Sequence, residues 1–310
     1  MPNAPLKVVT FVLAAIVRMC QPSFACDSPS CTCSTAAHVS TSRQGAWHIA
    51  ATANFQVCSL TSSAEAEIAA HRCEQVREVL TETWELAEND QPWSPKCQVI
   101  LHRTMRDYGA VVGAAYASTF GSSLVKPTTG TITVRRIDLR VNVDDYLTAA
   151  LPHELCHVLL ADRFRNQPAP LWYDEGIALL ADTEAKQRLH EQDLHDGIRR
   201  KAEYSIAELI VADEYPPSER MGIFYGQCAG LTRHLRQQGS AEQLHRFAIR
   251  CGEVGVNLAA QECYAFAGVR DMEQNWRKTL IEGDRPTMAG VLPMKSSGLP
   301  LRQLAATRFP

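Results

Sequence analysis

The residues best equipped for chemistry in this chain are His153-Glu154-Leu155-Cys156-His157. On an α-helix, positions i and i+4 project from one face, so His153 and His157 can aim ring nitrogens at a single cation. Glu154 lies about 100° around the same helix, beside the cation and not on it. A carboxylate there can take a proton from a water that the cation activates. Two histidines and a base at this spacing suit zinc, provided that a third ligand is supplied and a fourth position stays open.

The third ligand follows shortly. The run Pro168-Ala169-Pro170-Leu171-Trp172-Tyr173-Asp174-Glu175-Gly176-Ile177-Ala178-Leu179-Leu180-Ala181 reads as prolines leading into a second helix. Proline stops the preceding segment and pre-sets the backbone for a helix start. Asp174 and Glu175 fall near its N-terminus, where the helix dipole favours carboxylates. Trp172, Ala178 and Leu179 are expected on the buried side. Glu175 can return to the cation from this adjacent helix, so His153, His157 and Glu175 form the expected His2Glu set, with water as the fourth ligand. Asp174 reads as a helix-start carboxylate rather than a ligand.

H-E-x-x-H followed by W-x-x-E-G-x-A resembles the gluzincin type of zinc metallopeptidase, in particular the bacterial peptidase MA-like group. The likeness is most specific at Leu151–Leu160 and Trp172–Ala178 and spans roughly residues 48–282. It is weaker at 181–190, at 225–232 and toward Trp276. The resemblance implies a zincin-like α+β fold: an N-terminal mixed sheet with helices, a mostly helical C-terminal half, and an active-site cleft between them. It also implies one zinc per chain and hydrolysis of a peptide or protein substrate, with Glu154 as general base. Gluzincins often use a tyrosine or histidine to donate to the oxyanion, and Tyr225 is the candidate here. Two positions depart from the pattern. Cys156 stands where a small residue or threonine is usual. Leu179 stands where thermolysin-like enzymes carry an aspartate that orients the first histidine, which leaves the partner of His153 unidentified.

The elements that must position these residues can be read in outline. Residues 47–60 alternate as a strand, and Thr61-Ser62-Ser63 caps a long helix to about Ala87. Its apolar face is expected to include Ile68, Val76, Val79, Leu80 and Trp84. Cys97–Leu101 is a short strand, 105–118 is ambiguous, and 130–141 reads as one or two strands. The segment around Val134–Leu139 is expected to offer its edge to an extended peptide. Residues 143–164 form the metal helix, bent or started afresh at Pro152. From Leu171 to Leu280 the pattern is almost wholly helical. The domain layout is then a signal (1–25), a flexible lead (26–46), a zincin-like domain (47–282, with halves 47–165 and 166–282) and a tail rich in Pro and Gly (283–310).

The net charge of −3 over 310 residues points to neither nucleic acid nor an anionic membrane surface. The first 25 residues have the form of an export signal: Lys7, an apolar run to Val17, and Ser23-Phe24-Ala25 as the cleavage site. The protein is therefore expected to be secreted or periplasmic, or, as an alternative, anchored to the membrane through a lipidated Cys26. Ten of the eleven cysteines remain after cleavage and are read as disulfides, with Cys156 reduced inside the helix packing. Cys31-Thr32-Cys33 reads as an anchor for the lead, not as a redox pair. His190 and His195 read as solvated surface, with His190 able to line the cleft; His38, His48, His71, His102, His234 and His245 carry no assigned role. The alternative function is a catalytically inactive zincin-fold binding or scaffold protein at the cell surface.

Overall fold

The computed structural model describes residues 38–86, 91–143, 145–164 and 167–282. The expected export signal, Cys26, Cys31, Cys33 and the tail lie outside the described residues. The fold is mixed α+β. A six-stranded sheet runs in the order β1-β2-β3-β4-β6-β5. It begins with a hairpin of β1 (Ser40–Gln44) and β2 (Trp47–Ala51), turned at Gly45, whose φ of +58° suits a tight two-residue loop. The structured part thus starts before residue 47, inside the stretch expected to be a flexible lead.

Residues 47–60 are two antiparallel strands and not one: β3 (Phe55–Ser59) folds back on β2. The break is at Thr52–Asn54, where the Glu74 carboxylate accepts from both the backbone and the side-chain nitrogen of Asn54, each at 2.9 Å. Helix α1 (Ser63–Thr83) starts as expected, with the Ser62 hydroxyl accepting from Glu65 N at 3.1 Å. Its buried stripe differs from expectation. Ala66, Ala69, Ala70, Cys73, Val76 and Leu80 face inward, whereas Ile68 and Val79 are exposed. The stripe follows small residues, which let the helix approach the sheet closely.

Strand β4 (Cys97–His102) runs parallel to β3. The ambiguous segment becomes α2 (Met105–Val112) and a 3-10 turn at Ala114–Tyr116. The strands β5 (Gly121–Thr128) and β6 (Thr131–Arg140) form a hairpin through Thr129 and Gly130, both at positive φ. β6 lies between β4 and β5, so the segment Val134–Leu139 has no free edge; the edge belongs to β5. β5 escaped detection because it exposes both faces and contains Gly and Pro, as edge strands do.

A short α3 (Tyr146–Ala149) precedes α4 (Leu151–Arg163), which starts afresh with Pro152 in its first turn, where no backbone N–H is needed. The remaining helices are α5 (Leu171–Leu180), α6 (Glu184–Arg199), α7 (Ile206–Val211), α8 (Met221–Gln238), α9 (Ala241–Val254), α10 (Val256–Tyr264) and α11 (Val269–Glu282). α1 and α4 pack on the sheet and on each other, and α5 packs between α4 and α8. One apolar core runs from the sheet through α4 and α5 to Trp276 of α11.

The expected disulfides are not found among the described residues: Cys58, Cys73, Cys97, Cys156, Cys228, Cys251 and Cys263 are all free. Most serve as small apolar side chains of the core. Burial pushes the Cys58 thiol up to about 11 and the Cys251 thiol up to about 12, so neither is an activated nucleophile.

Two histidines without an assigned role are structural. His245 is fully buried; its Nε2–H donates to the Trp84 carbonyl at 2.7 Å, so its Nδ1 accepts from the Tyr173 hydroxyl. His234 is held by Gln238 at 3.0 Å and Thr279 at 3.2 Å. Burial pulls both imidazoles from the usual 6.5 to about 4. They stay neutral in the fold while the unfolded chain protonates near 6.5. Their contribution should therefore be complete above pH 6.5 and lost as pH falls to about 4, by up to roughly 3 kcal/mol each. Urea unfolding from pH 7 to pH 4 should show a falling midpoint, and His234→Gln should reduce the slope. A midpoint independent of pH in that window would contradict the assignment.

Candidate metal centre

Helix α4 carries His153 and His157 one turn apart, with ring centroids 5.0 Å from each other. Helix α5 brings Glu175 to the same point, and one potential ligand atom from each of the three residues lies within 4.8 Å of the others. His153 Nε2 is 3.9 Å from Glu175 Oε2. The structure thus brings together the three residues that the sequence put forward as ligands.

Local packing explains why α5 delivers Glu175 there. Eight of its ten residues are buried, so the helix cannot rotate without exposing core. Gly176 meets α8 closely: a Cβ at this position would lie 2.0 Å from Thr232 Oγ1 and 2.8 Å from the Cys228 carbonyl. Cys156, whose Sγ is 4.0 Å from the Ile177 carbonyl, fills the α4–α5 contact with a small side chain.

The partner of His153, missing from position 179, is Asp182. Its Oδ2 lies 3.4 Å from His153 Nδ1, while Lys186 Nζ donates to its Oδ1 at 3.1 Å and to the Ala149 carbonyl at 2.7 Å. Asp182 lies just past the end of α5, in the turn that leads into α6, and this turn directs its carboxylate back toward His153. His157 has its own partner: Asp174 Oδ2 stands 3.0 Å from its Nδ1. Asp174 is therefore more than a helix-start charge. With each Nδ1 facing a carboxylate, each histidine has Nε2 left as its free nitrogen.

The electrostatics match this geometry. Burial would lower the His157 pKa, but Asp174, Glu175 and Glu154 outweigh it and hold the imidazole at about 10. His153 is raised in the same way, against burial, by Asp182. The Asp182 carboxyl is held below its ordinary value: burial opposes this, but His153 and Lys186 prevail. Four carboxylates around two imidazoles form a pocket that favours positive charge. Two imidazoles and one carboxylate, each with a further hydrogen-bonding or ionic neighbour, are a donor set that fits zinc.

Glu154 is 9% exposed and lies against Gly121 at the start of β5. A Cβ on Gly121 would sit 2.7 Å from Glu154 Cγ and 3.0 Å from its Oε1. The strand entrance is pinned by Thr119, whose hydroxyl shares a 2.6 Å hydrogen bond with Tyr108, and by Arg140, which donates to the Thr119 carbonyl at 3.1 Å. Tyr225 is half-buried on α8, its ring 5.8 Å from His190, and its hydroxyl has no hydrogen-bond partner among the described residues. Burial, and then Glu175, push its pKa upward. His190 reaches the outer side of the same network, with Nε2 3.9 Å from Asp182 Oδ2. His195 is only partly buried.

Two contacts had no signal in the sequence. Tyr215, in the connection between α7 and α8, donates its hydroxyl to Glu175 Oε1. His102 pairs with Asp138 at 2.6 Å, and Arg136 bonds both oxygens of that aspartate. The latter cluster is buried between β4 and β6 and ties the strands together. No protein-family model and no curated protein matches this chain.

The two close glycines separate packing from site geometry. Gly176→Ala meets backbone as well as side chain and should cost roughly 1–3 kcal/mol of unfolding free energy. Gly121→Ala meets only the Glu154 side chain, which can swing away, so its unfolding midpoint should stay near wild type. Comparing the two by urea unfolding checks this; an equal loss would mean that Glu154 has nowhere to move.

Proposed function

We propose that this chain is an exported zinc metallopeptidase of the gluzincin type, acting on peptide or protein substrates. The carrying observation is the meeting of His153, His157 and Glu175 from two helices, with Glu154 buried beside them under the edge strand β5. The reading takes the site to lie in a cleft between the α/β half, 47–165, and the helical half, 166–282. Among the described residues no helix is long and apolar enough to cross a membrane.

His153, His157 and Glu175 would hold the ion, and zinc so bound supplies Lewis acidity, acidifying a water and polarising a carbonyl. The residues of the chain do the rest. Glu154 accepts the proton of the attacking water and passes it to the departing amine nitrogen; C–O and N–H bonds form as the O–H and C–N bonds break. The free hydroxyl of Tyr225 donates to the developing oxyanion. β5 offers its unpaired edge to an extended substrate, so that main-chain pairing gives affinity with little sequence preference. Exposed Phe120 and Leu124 give this region an apolar character.

Metal content and hydrolysis measured together test the reading. The wild type should carry about one zinc per chain and cleave an unfolded protein substrate in a chelator-sensitive way. Glu154→Gln should keep the zinc and lose turnover; losing the zinc too would remove Glu154 from the role of base. Glu175→Ala should retain zinc poorly, and unchanged metal content would strike it from the ligand set. Zinc without cleavage of a broad peptide library would shift the reading to an inactive zincin-fold binding protein.

Tyr225→Phe should lower kcat by roughly 10–1,000-fold with KM little changed, as expected for a group that acts in the transition state. Wild-type turnover would return Tyr225 to a packing role.

A further inference from the structure

Metal ligands bind well only when a neighbour fixes their orientation. Asp182 does this for His153 and Asp174 for His157. The third ligand has a neighbour of a different kind. Glu175 is only 3% exposed, and a buried carboxylate oxygen without a donor is costly. Its Oε1 receives the hydroxyl of Tyr215, while Oε2 faces His153 Nε2 at 3.9 Å.

We propose that Tyr215 is the positioning residue of Glu175: its hydroxyl occupies Oε1 and reserves Oε2 for the metal, so that the carboxylate binds through one oxygen. The inference rests on the zinc reading given above. One-oxygen binding leaves the fourth position to water; a carboxylate free to close on the ion with both oxygens would crowd it.

The way Tyr215 is presented supports a dedicated role. It belongs to Ala212-Asp213-Glu214-Tyr215-Pro216-Pro217, which links α7 to the 3-10 turn Ser218–Arg220 ahead of α8. Each proline locks its own φ and restricts the preceding residue to extended backbone. Tyr215 and Pro216 are thus stiffened by covalent geometry. The residue is 49% exposed, yet its polar atom points inward to the acid, and its ring is steadied by Phe224 with centroids 6.2 Å apart. A tyrosine placed only for packing would bury the ring and leave the hydroxyl to water. Tyr225 shows the complementary arrangement, a half-buried ring with a hydroxyl free for substrate. The two tyrosines are therefore not interchangeable.

The test is zinc affinity of the metal-stripped full chain, measured by competition with a chromophoric chelator, beside the visible spectrum of the cobalt-loaded protein. Tyr215→Phe should weaken zinc binding by roughly 10–100-fold. Its cobalt bands should shift, because they report coordination number; the metal-free protein should unfold at a somewhat lower urea midpoint, since Glu175 Oε1 loses its donor, yet remain folded under the conditions of the binding assay. Equal zinc affinity together with superimposable cobalt spectra would overturn the role of Tyr215 and leave the zinc reading intact. A wild type that binds neither metal would overturn both.

Discussion

Buried negative charge is the constraint around which the centre is built. Glu154, Glu175 and Asp182 are nearly inaccessible to water, and Asp174 is partly so. Carboxylates tolerate such burial only when opposite charges or donors answer them. The answers come from separate elements: the imidazoles from α4, Lys186 from α6, and the Tyr215 hydroxyl from the α7–α8 connection. The same charge explains why His157 holds its proton so tightly. A proton and a divalent cation compete for this kind of pocket, and metal uptake is expected to release protons.

Precision in the centre derives from packing some distance away. Tyr173, next to the acidic pair of α5, is tied through His245 to the backbone at Trp84. Trp172 lies against Phe247 with ring centroids 6.0 Å apart. α5 is thereby locked from α9 and from the end of α1, and its carboxylates inherit that rigidity. On the other side, β5 reaches Glu154 at Gly121, where an added Cβ would press on the Glu154 side chain. A helix buried over most of its surface and a strand free along one edge together form a rigid base beside an accessible rim.

The sequence made the local part of the site legible. His153, Glu154 and His157 are related by one helical turn, and Glu175 follows after a prolyl helix start, so both groups declare themselves through short-range geometry. Asp182 was within reach only as a near neighbour in sequence, seven residues beyond Glu175; it lies past the end of α5, and the turn into α6 directs it. Tyr215 was not: it is 40 residues from Glu175, and only the path of α6 and α7 brings it back. In the fold, α1 was clear because its period and its Ser62 cap are local, whereas α2 stayed ambiguous and the C-terminal helices were legible only as one helical stretch. β5 was missed because an exposed strand with Gly and Pro has no apolar alternation, and the edge was consequently assigned to β6. The buried face of α1 was misjudged by giving weight to large side chains where alanines make the contact.

The buried cysteines have a practical consequence. Cys73, Cys97, Cys156, Cys228 and Cys263 sit on α1, β4, α4, α8 and α10, each shielded from solvent and unlinked. A reagent that modifies thiols can reach them only when the surrounding element opens, so each is an intrinsic clock for local opening. Trapped at different positions along the chain, the five thiols can tell whether the sheet, the helix of His153 and His157 or the C-terminal helices part first. No foreign label need be introduced to follow how this protein comes undone.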